Sequence, residues 1–218
     1  MKNYISINNQ KIELTDEQVE KVKAALDTPS KRLSDIAVGD VCRIGGHEFV
    51  VLEQSGDTAA VIRKALLKDN VRFGDNNNFN GSNVDEICKN FAKELASFVG
   101  EDNLVPHTVD LTSDDGLKDY GKVMRQVSLL ITNLYRRYVE VLDKHNPNKW
   151  WWLATPFSTK THGNDSLVKC VSPSGFINNY GYDFGGGGVR PFWWNVRQSR
   201  HCRNPHTTSK ERTPFPNG

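Results

Sequence analysis

The chain has 218 residues, 37% of them hydrophobic and 25% charged, with a net charge of +2. This is an ordinary globular composition, long enough for one large domain or one domain with appendages. No run of 18 apolar residues occurs, which excludes a transmembrane helix, and no two of the cysteines Cys42, Cys88, Cys170 and Cys202 lie within five residues, which excludes a C-x-x-C metal or redox motif. The first residues carry no secretory signal, so the expected setting is the cytoplasm on synthesis, with reduced thiols.

Residues 1–30 read as a hairpin-helix lead-in. Tyr4–Ile7 and Lys11–Leu14 flank Asn8-Asn9-Gln10, a hairpin pattern. Thr15 with Gln18 three residues on is a capping box, and Val19, Val22 and Leu26 follow at helical spacing. Beyond them, Gly39–Ile44 and His47–Leu52 are joined by Gly45-Gly46, a two-residue hairpin signal, and Thr58–Ile62 offers a further strand. His47, beside the turn, is expected to be exposed.

Phe73–Asn83 is polar and rich in Asn. Its oxygens are of the kind Ca²⁺ takes, but the spacing departs from the EF-hand loop, and a helix-capping loop is the expected reading, with Ser82 or Asn83 as N-cap. The helix that follows carries Val84, Ile87, Cys88, Phe91, Leu95 and Phe98 on one face and stops at Gly100. Cys88 on that face reads as a buried structural thiol.

Glu101–Gly121 is irregular and acidic, a solvated loop in which Asp110, Asp114, Asp115 and Asp119 cluster. His107 with Asp110 is a candidate acid/base pair, although such proximity more often makes a structural hydrogen bond. Val127–Ile131 reads as a buried strand. Thr132 then caps a helix with Leu134, Tyr135, Tyr138, Val141 and Leu142 facing inward.

All five tryptophans fall at the two ends of the stretch from Trp150 to Trp194. Trp150–Leu153, Leu167–Val171 and Val189–Trp194 are three strands of a small twisted antiparallel sheet. Pro191 limits the last to an edge or a bulge, and Ser172-Pro173-Ser174-Gly175 is a turn. Large clustered aromatics belong mainly to a core. Residues 176–188 differ, being rich in Asn, Tyr, Asp, Phe and Gly. They read as a floppy solvated loop with the composition binding loops favour. Asn178, Asn179, Tyr180, Tyr182, Asp183 and Phe184 are its candidate ligand-binding residues.

Residues 196–218 form a basic, flexible tail, with five cations against Glu211 for a net +4, leaving −2 on the rest. That is weak support for phosphate contacts, so nucleic acid is not an expected partner. His201, Cys202 and His206 lack a fourth metal ligand. No metal or cofactor is expected, and no G-x-S-x-G, P-loop or H-E-x-x-H motif occurs.

Trp151-Trp152-Leu153-Ala154-Thr155-Pro156, the turn ending at Gly175, and Gly188-Val189-Arg190-Pro191-Phe192 resemble the WWLRSP…G…GVRPA signature. That signature marks a domain family of unknown function from Gram-positive bacteria and their phages. The chain departs from it at Ala154-Thr155, where the family has Arg-Ser. The family is similar to the C-type-lectin-like fold of formylglycine-generating enzymes and of phage variable receptor-binding proteins. The resemblance implies an α+β, C-type-lectin-like domain over 31–195, with a small twisted sheet and two main helices. Trp151, Trp152, Pro156, Gly175, Gly188, Arg190 and Pro191 are its structural signature. It also implies a phage or prophage origin and a late segment used for binding.

The expected function is therefore non-catalytic binding of a protein or glycan through residues 178–184, with a virion component among the settings such a module fits. The alternative is an intracellular phage-encoded modulator of a host protein. A formylglycine-generating oxidase is disfavoured, because its copper-binding thiol pair would leave Cys170 without a partner in the matching region. Fold resemblance alone does not fix activity.

Overall fold

The computed structural model describes residues 4–7, 10–20 and 32–196. It is mixed α+β, and its strand pairings are antiparallel. Val22, Leu26 and the basic tail with His201, Cys202 and His206 lie outside the described residues. No helix among the described residues is long and apolar enough to cross a membrane.

The lead-in hairpin forms, with β1 (Tyr4–Ile7) paired to β2 (Gln10–Glu13). The capping box forms too. Thr15 N donates to Gln18 Oε1 at 2.9 Å and Gln18 N to Thr15 Oγ1 at 3.3 Å, opening helical residues 16–20 (α1).

The main sheet begins with β3 (Val41–Ile44) and β4 (His47–Ser55). Gly45 and Gly46 between them have φ of 56° and 85°, the left-handed pair that a two-residue hairpin needs. β5 (Thr58–Arg63) pairs with β4. Beside it lies β13 (Phe192–Val196), with Phe192 opposite Ile62 and Val196 opposite Thr58. The other side of β13 is shared by β9 (Val127–Ser128) and β6 (Leu104–Val105).

β13 therefore does not join the tryptophan strand as the sequence suggests. It is central in the larger sheet. Pro191 stops short of the strand, so no ladder N–H is lost, and its carbonyl accepts from Arg63 N at 2.9 Å. The second sheet runs β10 (Trp151–Pro156), β11 (Leu167–Val171), β12 (Ile177–Gly181). β7 (His107–Asp110) and β8 (Lys122–Arg125) form a separate hairpin inside the expected acidic loop.

Strand alternation distributes the buried side chains between two cores. Phe49, Val51, Val61, Trp152 and Trp193 enter one; Val50, Leu52, Ile62, Trp151 and Phe192 enter the other. Strands buried on both faces read as continuous apolar runs, which is why Trp150-Trp151-Trp152-Leu153 has no polar interruption.

α2 (Asn83–Val99) covers the first core with Val84, Cys88, Phe91, Ala92, Leu95 and Val99. Ser82 caps it, accepting from Asp85 N at 3.2 Å, and Gly100 ends it at φ 85°. Phe98 is 43% exposed, off the expected face. The second core is covered by α3 (Thr132–Arg137) and α4 (Val139–Lys144). The single helix expected here breaks at Tyr138, and Thr132 is its first residue rather than its cap. Thr155 Oγ1 from β10 accepts the Thr132 N–H instead, at 2.9 Å.

His47 is half-buried rather than exposed. Its Nε2 lies 2.9 Å from Glu94 Oε1 and its ring packs edge-on against Phe91.

Candidate binding face

Residues 177–181 form β12 although their composition is that of a loop. Antiparallel pairing with β11 sets Val168 opposite Tyr180 and Cys170 opposite Asn178. The backbone ladder makes this strand; its polar side chains follow because β12 is a sheet edge. Asn178 Oδ1 accepts the Asn179 N–H at 2.9 Å, covering one main-chain donor of that edge.

The period of two places Phe176, Asn178 and Tyr180 on one side, all exposed. Phe176 is 73% exposed. Tyr180 stacks on Phe184 with ring centroids 4.4 Å apart and planes at 18°, and meets the edge of Trp150 at 4.9 Å. Phe184 in turn packs edge-on against buried Trp152. A surface row of aromatic and amide groups is thus tied to the core by ring contacts.

The loop that follows is not floppy. Tyr182 O accepts from Phe73 N, Gly187 O from Val71 N, and Val189 O from Leu67 N, while Val189 N donates to Lys68 O, all at 2.7–2.8 Å. The glycines are there for space. A Cβ at Gly187 would overlap the Trp152 indole, and one at Gly188 would overlap Leu66 and crowd the Trp150 carbonyl at 3.1 Å.

The six candidate residues therefore divide. Asn178 and Tyr180 share the exposed row, and Phe184 backs it. Asn179 points to the opposite side of the strand. Tyr182 is half-buried, and Asp183 is exposed beside Gly181. Sequence reasoning missed Phe176 and Trp150 as members of this face. The isolated Phe directly after Pro173-Ser174-Gly175 was the available signal.

The signature residues serve the scaffold. Trp151 and Trp152 are fully buried, and Trp152 Nε1 donates to Val71 O at 2.8 Å. Gly175 takes φ 85° in its turn and its carbonyl accepts Tyr135 OH at 2.5 Å. Pro156 O accepts Asp114 N. Arg190 is fully buried, with Nε donating to Arg63 O at 2.9 Å and Nη2 to His145 O at 2.8 Å.

The acid/base pair of His107 and Asp110 does not form. The residues are three apart on β7 and so face opposite sides. His107 Nε2 meets Ser128 Oγ at 2.8 Å, and burial lowers its pKa to about 4. Asp110 instead binds Thr112 and Lys122, which lower its pKa to about 2.

The other three clustered aspartates also have protein partners. Asp114 pairs with Lys169 at 3.1 Å. Asp115 accepts from Ser113 and Ser158, with His162 Nδ1 at 2.9 Å, and those contacts hold its carboxyl well below the ordinary range. Asp119 accepts from Thr159 and Thr161. Asp115 and Asp119 staple this segment to residues 158–162, and Asp114 ties it to β11.

Cys42, Cys88 and Cys170 are buried, and burial pushes the Cys170 thiol up to about 12. Among the described residues no group of three or more His, Cys, Asp or Glu is placed to hold a metal ion. The Asn-rich loop spends its oxygens internally: Asn76 on Asn78 N, Asn78 on Asn80 N, and Asn80 on Arg125. Asn77 is buried, donating to Ser158 O and Leu167 O and accepting from Tyr120 OH. Sequence reading also missed Asp85, fully buried on the apolar side of α2, where Arg125 binds both of its oxygens at 2.7 Å.

Comparison with protein-family models, curated proteins and solved structures finds no match.

Proposed function

We propose that this chain is a non-catalytic binding module whose contact face is the exposed edge formed by Phe176 and β12, presenting Phe176, Asn178 and Tyr180 to a protein or glycan. The observation that carries this reading is the exposed row of rings and amide on a strand braced from behind by Phe184, Trp150 and Trp152. Aromatic groups on a rigid element give contact area at small entropic cost, and an exposed apolar patch with a polar surround is a common interaction surface.

The absence of catalysis in this reading is supported by the chemistry of the candidate groups. Cys170 is held as a neutral thiol by burial, whereas a thiol oxidase needs an accessible thiolate. His107 is half-buried against Ser128 rather than poised beside Asp110.

The test compares wild type with the double variant Phe176→Ser, Asn178→Ala in pull-downs from cell lysate and envelope fractions and on a glycan array. The reading expects a ligand kept by the wild type and lost by a variant of unchanged melting temperature. A ligand that both proteins retain equally would remove β12 as the contact face.

A further inference from the structure

Arg190 carries a positive charge inside the protein, and among the described residues no carboxylate pairs with it. It is fully buried. Its guanidinium donates to three backbone carbonyls, those of Arg63, Lys64 and His145, and stacks over the Trp151 ring at 5.1 Å. Nη1 finds no acceptor among the described residues. Carbonyl dipoles and a ring face only partly compensate a buried cation, so a positive field is left around it.

Two of those carbonyls belong to residues that line a surface cavity of about 380 Å³, Lys64 and His145. Arg190 thus lies directly behind the cavity wall. Lys64, Lys144 and Lys149 line the same cavity, with Asp69 as its one acidic lining residue. Asp69 pairs with Lys149. Lys64 shares Glu48 with Arg43, at 3.1 and 3.0 Å, and Lys144 has no acidic partner among the described residues. Four cations, counting Arg190, therefore face two carboxylates, one of them divided with a fifth cation. The carbonyl of His145, at the C-terminal end of α4, would repel an anion, but Arg190 occupies it.

We propose that this cavity binds a phosphate-class oxyanion, held by Lys64, Lys144 and Lys149 over the buried charge of Arg190. The three ammonium groups are separate point donors, which suits an oxyanion with several oxygens better than a planar carboxylate. The buried guanidinium supplies a field that salt screens less than it screens the lysines.

The experiment titrates the full chain with sodium phosphate, sodium pyrophosphate and O-phosphoserine against sodium chloride at matched ionic strength. Melting temperature and calorimetric binding are read for the wild type and for Lys144→Gln, Lys149→Gln. A saturable rise in melting temperature beyond that in chloride is expected, with affinity reduced on the order of tenfold in the double variant. The variant itself should melt like the wild type in chloride, because both lysines are exposed. O-phosphoserine binding more tightly than inorganic phosphate would support the site and assign it to a phosphoryl group carried on a larger molecule; the reverse order would support it as a site for the free anion. An equal response to chloride, or an undiminished response in the double variant, would overturn the proposal.

Discussion

The Gly187 backbone lies against the Trp152 indole so closely that a Cβ there would overlap the ring at Nε1 and Cε2. The two are also joined by hydrogen bonds through one residue: Trp152 Nε1 donates to Val71 O, and Val71 N donates to Gly187 O. The indole cannot retreat without breaking the first of these bonds, and the loop cannot retreat without breaking the second.

Gly187→Ala should therefore behave as an overpacked core substitution, costing roughly 1–3 kcal/mol. Gly185, two residues away, has open space around a would-be Cβ, so Gly185→Ala should stay within about 0.5 kcal/mol of wild type. Urea unfolding midpoints of the two variants check the contrast. Equal midpoints would mean that the glycine run is not held against the ring.

The Asp85–Arg125 pair predicts a pH dependence. Burial alone would raise the Asp85 pKa, but the two bonds from Arg125, with help from Gly81 N–H, bring it below the ordinary value. Its contribution to stability is complete above the unfolded carboxyl value near 3.9 and is lost as the pH falls through the folded one. Arg125→Met leaves a buried carboxylate without its main partner, so it should cost about 3–5 kcal/mol at pH 7. The cost should shrink as the pH falls through and below the ordinary carboxyl range, where Asp85 takes a proton. A constant difference across that range, in denaturant titrations at several pH values, would contradict the assignment.

His107 gives a second window. Its pKa falls from 6.5 to about 4 through burial, so the unfolded chain binds the proton first as the pH drops. Stability should fall between pH 6.5 and about 4, by about 3 kcal/mol in all, since each tenfold loss of proton affinity on folding corresponds to about 1.4 kcal/mol. In His107→Asn that part of the slope should vanish, with thermal melts from pH 7 to 4 as the readout.

The binding face separates exposed rings from bracing ones. Phe176→Ala should leave stability within about 0.5 kcal/mol, because its ring is largely in solvent. Tyr180→Ala and Phe184→Ala should each destabilise. A double-mutant cycle between them should return about 0.5–1.5 kcal/mol of coupling, the range for stacked rings. Zero coupling would mean that the stack does not persist in solution.

Much of the scaffold was legible in the sequence. Gly45-Gly46 named its hairpin through the φ it permits, Ser82 named its cap, and Val84, Cys88, Phe91 and Leu95 named the face of α2. What escaped was set by long-range pairing. β12 carries Asn178, Asn179 and Tyr180 because an edge strand needs only its backbone, and no local pattern distinguishes that from a loop. The β7–β8 hairpin was masked by charged side chains whose partners lie on the opposing strand, as Lys122 does for Asp110. Val189–Trp194 was recognised as a strand, but its partner, β5, is more than a hundred residues earlier. The aromatic row was legible as residue types and not as geometry, so Asn179 was grouped with neighbours it does not face.

Trp151 and Trp152 enter different cores. Inserting or deleting one codon within β10 would exchange their destinations, handing each core the side chain shaped for the other. The same edit in the exposed turn at Gly56 and Asp57 would only lengthen or shorten a surface connection. The gene should accordingly tolerate most single-letter changes on the β12 face while refusing any change of reading length through the tryptophan run, so its record of indels would map the two-core architecture more sharply than its record of substitutions.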